Sequence, residues 1–208
     1  MSPTHTGALL LKCVGKLPAR ESLAGPLTEL AVECVPLVVG IAAHAALEGD
    51  EACLYLYTRE FGVLSPALLS RAPERARSMP AFAGVAIAAA RLSPMCDCPG
   101  ASRNETSAFH YVVETDVDDD ANDADLNAWY DTEHMPGLAA CPGTVRARRF
   151  RNPDSSPRYH ACYDLVTKET LGSPRWLAVR NSAWSDRVRP HFRNTRRTMF
   201  RRLFHVEL

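Results

Sequence analysis

Tyr55-Leu-Tyr-Thr-Arg-Glu-Phe-Gly-Val-Leu-Ser65-Pro66 and Tyr163-Asp-Leu-Val-Thr-Lys-Glu-Thr-Leu-Gly-Ser173-Pro174 are the two stretches whose reading decides the fold. In both, a tyrosine inside an apolar strand-like run is followed at the same offset by Ser-Pro. A serine at the N-cap with proline at the first helical position starts a helix, because proline's missing N–H is one that no helix needs there. A strand-to-helix junction that recurs at fixed offset marks an internal duplication.

Outward from the first stretch, Gly7 to Gly15 reads as a strand and Pro18 to Cys34 as a helix with a break near Gly25-Pro26. Val35 to Leu47 and Ala52 to Thr58 form a hairpin across Glu48-Gly49-Asp50-Glu51, rich in β-branched and aromatic residues. Ser65 to Met79 supplies a second helix and Ala83 to Leu92 a fourth strand. The same β-α-β-β-α-β order is expected again: strand Phe109 to Val117, helix Asp119 to about His134, strands Thr144 to Arg151 and Arg158 to Val166, a helix from Pro174, and strand Phe192 to Leu203. The Pro-, Gly- and Ser-rich stretch between the halves reads as a connection. The expected organisation is a structural unit over residues 1–95, a linker over 96–107, and a second unit over 108–208 that carries the site. Each unit is a ferredoxin-like α+β sheet with both helices on one face, so its other face is apolar and needs a cover that a second copy can supply.

The 208 residues, 46% hydrophobic and 23% charged, have ordinary globular composition, with no apolar run near the ~20 residues that cross a bilayer. No secretory leader is evident, so a cytoplasmic location is expected. Seven cysteines in mostly apolar contexts suit reduced thiols. Net charge is zero, but acids crowd Glu114 to Asp125 and arginines crowd Arg146 to Arg151 and Arg187 to Arg202. The acidic run offsets the basic ones, so neither nucleic acid nor membrane is an expected partner; a small-molecule substrate is, with the chain a monomeric pseudo-dimer or a homodimer.

The specific signal lies in Trp129-Tyr130-Asp131-Thr132-Glu133-His134-Met135-Pro136. Asp118, Asp119 and Asp120 favour the helix start, and Pro136 interrupts it and starts a short new turn. Tyr130, Asp131 and His134 then share one face by their spacing of four and three residues, which brings a phenol, a carboxylate and an imidazole together for proton transfer. With Ala140-Cys-Pro-Gly-Thr-Val-Arg-Ala-Arg-Arg-Phe150 downstream, the segment resembles the EthD-like and muconolactone-isomerase-like branch of the dimeric α+β barrel superfamily. The likeness covers about Phe109 to Leu203 and centres on a Tyr-x-x-x-His-x-Pro pattern that the first unit lacks. It implies an intramolecular barrel, a histidine facing a pocket, and cofactor-free isomerase, cyclase or monooxygenase chemistry, with haem-binding relatives further off.

His134 is the expected acid/base, against a plain helix-terminal histidine. Tyr130 either packs on Trp129 or donates to a substrate oxygen. Strand alternation puts His160 and Cys162 on one face with Arg158 and Asp164, and that face is costly to bury unless it lines a polar pocket. His160 and Glu114 are therefore the second acid/base candidates. Arg148, Trp129, Asp131 and Cys162 are candidate substrate contacts, Arg148 for an oxyanion. His191 reads as a strand-entry residue. Cys96-Asp97-Cys98 lacks the second ligand pair of a metal site, so no metal is expected. No phosphate-binding loop, Gly-x-Ser-x-Gly or His-Glu-x-x-His occurs. The expectation is a cofactor-independent lyase or isomerase acting on a small, largely apolar oxygenated substrate such as a lactone, enol, phenol or polyketide-like carbonyl compound. A monooxygenase or haem enzyme of the same fold, and a non-catalytic ligand-binding barrel, are the alternatives.

Overall fold

The computed structural model describes residues 7–208 and is an α+β structure whose described strands number eight. By its contacts the chain divides into two units. The first takes the residues up to Pro94 with Asn152–Asp154 and Phe200–Leu208; the second takes Met95–Arg151 with Ser155–Met199.

In the first unit β1 (Gly7–Val14) lies between β3 (Glu51–Thr58) and β4 (Ala86–Pro99), and β3 pairs on its other side with β2 (Val38–Ala46), all antiparallel. The end of β8 (Phe192–Glu207) adds to β2, with Ala43 opposite Phe204. Two helices, α1 (Arg20–Cys34) and α2 (Leu68–Arg77), bury Leu23, Leu27, Leu30, Ala72 and Ala76 on the sheet face made by Leu9, Leu11, Ile41, Leu54 and Leu56. The alternate residues Leu10, Tyr55 and Tyr57 are buried as well, so both faces of this sheet exclude water. The break expected at Gly25-Pro26 does not occur: α1 runs through Pro26, because the buried leucines on either side outweigh one missing backbone bond. Ser65 does not cap α2, which begins three residues later without a side-chain cap.

In the second unit β7 (Tyr159–Leu165) lies between β5 (Phe109–Val117) and β6 (Thr144–Arg151), antiparallel to both. The first half of β8 borders β5, and the end of β4 borders β6. The 96–107 linker expectation fails in its first part. Met95 to Pro99 continue β4 because alternation persists, with Cys96 and Cys98 half-buried and their neighbours exposed. Gly100 then passes so close to β6 that a Cβ would lie 2.0 Å from the Thr144 carbonyl oxygen, an approach only glycine allows.

Helix α3 (Asp120–Trp129) starts on Asp119, whose carboxylate accepts from Asn122 N–H at 2.9 Å, as the aspartate run predicts. It widens into a π-helical turn over Tyr130–His134 and resumes as α4 (Met135–Ala139). The cause is Pro136, whose ring has no N–H for the Thr132 carbonyl and would clash with it in a regular α-helix; the wider turn, closed by Met135 N–H to Tyr130 C=O, relieves both. The chain therefore stays helical across the proline. Where the first unit has one helix, the second has two, α5 (Pro174–Arg180), capped by Ser173, and α6 (Ala183–Val188), capped by Ser182. The halves thus share an element order but differ in their parts. No helix among the described residues is long and apolar enough to cross a membrane.

Candidate functional site

Alternation in the second unit's sheet separates two sets of side chains. Tyr111, Val113, Ala147, Arg149, Tyr159, Ala161 and Tyr163 face the helices, where they pack with Leu126, Trp129, Tyr130, Leu138 and Trp176. His110, Glu114, Arg148, His160, Cys162 and Asp164 fall on the opposite face, register partner against register partner.

A cavity of about 50 Å³ opens on the helix side of the sheet, walled by Tyr111, Trp129, Tyr130, His134, Tyr163 and Trp176, with Arg180, Arg189 and Arg197 also lining it. His134 is 8% exposed; its imidazole stacks on Trp129 at 4.0 Å between centroids and meets the Tyr130 ring edge-on at 5.5 Å. Its Nδ1 is buried without a hydrogen-bond partner. Burial first, and then the positive charges of Arg189, Arg180 and Arg149, push its pKa down to about 3, so at neutral pH it is an uncharged imidazole able to accept a proton. The Tyr130 phenol is pushed up to about 12, chiefly by burial, and Tyr111 is also raised by burial; both remain protonated donors on the cavity wall. The Tyr163 hydroxyl is committed to Met135 Sδ at 3.2 Å.

Of the residues singled out in the sequence, Trp129, Tyr130 and His134 come together here. The expected convergence of His160 and Glu114 with His134 does not occur: they pair with each other at 3.4 Å on the other sheet face. Arg148 and Cys162 lie on that face too, Arg148 with Asp164 at 3.3 Å, while His110 Nδ1 contacts the same carboxylate at 2.8 Å. The reason is register: Glu114, Arg148, His160 and Cys162 alternate with Val113, Ala147, Arg149, Ala161 and Tyr163, so they cannot share a face with Tyr111 or Tyr163. Asp131 is turned to Arg149 at 3.8 Å and Glu133 accepts from Ser182, so neither orients His134. His191, expected at a strand entry, sits there on Asp118 at 3.0 Å.

The sequence reading missed Tyr111, Trp176 and the three arginines. Tyr111 was recoverable from alternation against His110 and Val112. Arg180, Arg189 and Arg197 come from α5, the turn after α6 and β8, and no spacing relates them. It also missed Arg149, a fully buried guanidinium held between the rings of Tyr130 at 4.2 Å and Tyr159 at 4.5 Å, with Nε, Nη1 and Nη2 lacking hydrogen bonds.

No protein-family model matches the chain, and no curated protein matches it. Solved structures do. One described as a "putative monooxygenase" from Lactobacillus acidophilus is 12% identical with a TM-score of 0.61, covering 98% of this chain and 99% of that one. An anthrone oxidase-like protein is 13% identical at 0.62, covering 100% and 95%. The chlorite dismutase of Candidatus Nitrospira defluvii is 9% identical at 0.60, covering 96% and 93%. At such identities the likeness shows the α+β fold alone; by their descriptions these neighbours are mostly enzymes.

A macrocycle needs a site of several hundred Å³ and an imidazole open to the iron. Here the cavity holds about 50 Å³ and the His134 ring is covered by Trp129. These residues do not fit haem. Among the described residues no group of three or more His, Cys, Asp or Glu side chains is placed to hold a metal ion.

Proposed function

We propose that the chain is a cofactor-independent enzyme that removes a proton from a weakly acidic C–H or O–H of a small phenol- or enol-like substrate. The observation that carries this reading is a neutral, buried His134 beside two protonated phenols in one aromatic-walled cavity. His134 takes the proton, and Tyr130 and Tyr111 donate to the oxygen on which negative charge develops. An imidazole held at about 3 is a weak base in the protein alone. A substrate turning anionic beside it favours the imidazolium and offsets the arginine field, so the base strengthens as the transfer proceeds.

Lyase or isomerase chemistry and oxygenation share this first step. Oxygenation is the better supported sequel. A cavity of about 50 Å³ suits dioxygen or water but not a whole aromatic ring, since benzene occupies engineered cavities of about 150 Å³. The substrate's reacting edge would enter past the exposed Arg180 and Arg197 side chains, with the rest of the molecule outside the cavity. The likeness to monooxygenase and anthrone oxidase-like structures agrees. For a doubly activated methylene, the carbanion adds dioxygen and the resulting hydroperoxide loses water. One methylene compound and one dioxygen thus yield one ketone and one water without a cofactor.

The test is oxygen uptake and product absorbance across a panel of anthrones, hydroxynaphthalenes and enols, with the wild type and His134→Gln. We expect turnover of at least one substrate, lowered roughly 100-fold or more in the variant with its circular dichroism unchanged. Wild-type turnover in His134→Gln removes the histidine from the mechanism, and ligand binding without any product favours a binding protein.

A further inference from the structure

Several arginines of the second unit are ion-paired. Arg187 is held by Asp125, Arg193 by Asp118, Arg146 by Asp97 and Arg158 by Asp123. The three that line the cavity form no ion pair among the described residues. Among the described residues Arg180 donates only to the neighbouring Asn181 side chain at 3.3 Å, and Arg189 donates to the Arg180 backbone carbonyl. Arg197 has neither an ion pair nor a hydrogen bond among the described residues, and no Asp or Glu lines the cavity.

Three guanidiniums gather on one small cavity, and Arg189 is the most buried of them. Arg189 is pushed below the ordinary guanidinium value by burial first and then by Arg180, although Asp186 acts the other way. Such a grouping makes the cavity mouth positive and favours an anion among the three.

From the unmatched Arg180, Arg189 and Arg197 around the cavity that holds His134, we infer that the substrate carries a carboxylate, taken by these arginines while its acidic C–H or O–H meets the histidine. The inference rests on the proposed function for its catalytic sense, but the binding it describes stands apart from turnover. A carboxylate is preferred over a tetrahedral anion because it is planar and matches the guanidinium fork with two parallel bonds. This anion site narrows the expected substrate from a largely apolar compound to an acid.

Trp129 and Trp176 on the cavity wall provide the readout, since their fluorescence responds to a ligand seated there. The probes are 4-hydroxybenzoate, its neutral analogue 4-hydroxybenzamide, and inorganic phosphate, titrated into the wild type and into Arg189→Gln, Arg197→Gln and His134→Gln. We expect 4-hydroxybenzoate to bind at least 10-fold more tightly than the amide, each arginine variant to lose roughly 10-fold, and His134→Gln to retain the acid. Equal binding of acid and amide overturns the proposal, as do arginine variants that bind like the wild type. Phosphate binding more tightly than the acid overturns the carboxylate assignment. If His134→Gln keeps full turnover while the arginine variants lose the acid, the proton-abstraction reading fails and the carboxylate site stands.

Discussion

Replacing His134 by glutamine should flatten part of the protein's pH-dependent stability, and the size of the change follows from the burial of one imidazole. In the folded chain His134 is held at about 3, by burial first and then by Arg189, Arg180 and Arg149; unfolded, it returns to about 6.5. Between those values the unfolded chain binds a proton that the folded chain does not, so stability rises with pH across the window. The group's contribution is complete above about pH 6.5 and is lost progressively as pH falls towards 3. At pH 4.5 the deficit against pH 7.5 is about 3 kcal/mol, from two pH units at about 1.4 kcal/mol each. Urea unfolding followed by circular dichroism at the two pH values, on the wild type and His134→Gln, measures it as a double difference. Carboxylates such as Asp118, hydrogen-bonded by His191, and Asp125, hydrogen-bonded by Arg187, also sit below their usual values and contribute acid sensitivity. They do so equally in both proteins and cancel. The wild type should lose about 3 kcal/mol more than the variant on acidification. Equal losses, or a His134 proton resonance that titrates near pH 6.5 in the folded protein, would refute the burial argument.

Two further outcomes are expected from the same packing. Arg149→Ala should destabilise the fold by about 3 kcal/mol, through a cavity between Tyr130 and Tyr159 and the loss of two cation–π contacts, whereas Arg149→Met should cost less than about 1 kcal/mol because it fills that space without a buried charge; thermal denaturation ranks the pair, and Met falling with Ala would show that the charge itself holds the site. Gly143→Ala should lose about 2 kcal/mol or more in urea unfolding, since φ is +89° and the added Cβ would lie 2.3 Å from Thr170 Oγ1; a neutral result would mean that the α4–β6 turn relaxes freely.

Much of the second unit was legible in sequence. Phe109–Val117 and Thr144–Arg151 form strands over the expected spans because alternating residues must bury one face, and Asp119 caps α3 because its carboxylate meets a free N–H. Element ends set by local chemistry were less secure. Pro26 and Pro136 look like breaks, yet packed leucines carry the first and a π-helical turn absorbs the second. Cys96 to Pro99 read as linker by composition but are strand by pairing, because turn-forming residues are tolerated along β4, whose alternate side chains are exposed there.

By itself the sequence determined the order of strands and helices and the placement of Trp129, Tyr130 and His134 on one helical stretch, because both follow from periodicities a few residues long. Which groups share a cavity was decided only by the tertiary structure. Register sent Glu114, Arg148, His160 and Cys162 to the far face of the sheet, and chain segments distant in sequence brought Tyr111, Arg180, Arg189 and Arg197 to His134. Burial and the field of those arginines, which no local pattern encodes, then set the proton affinity on which the proposed chemistry depends.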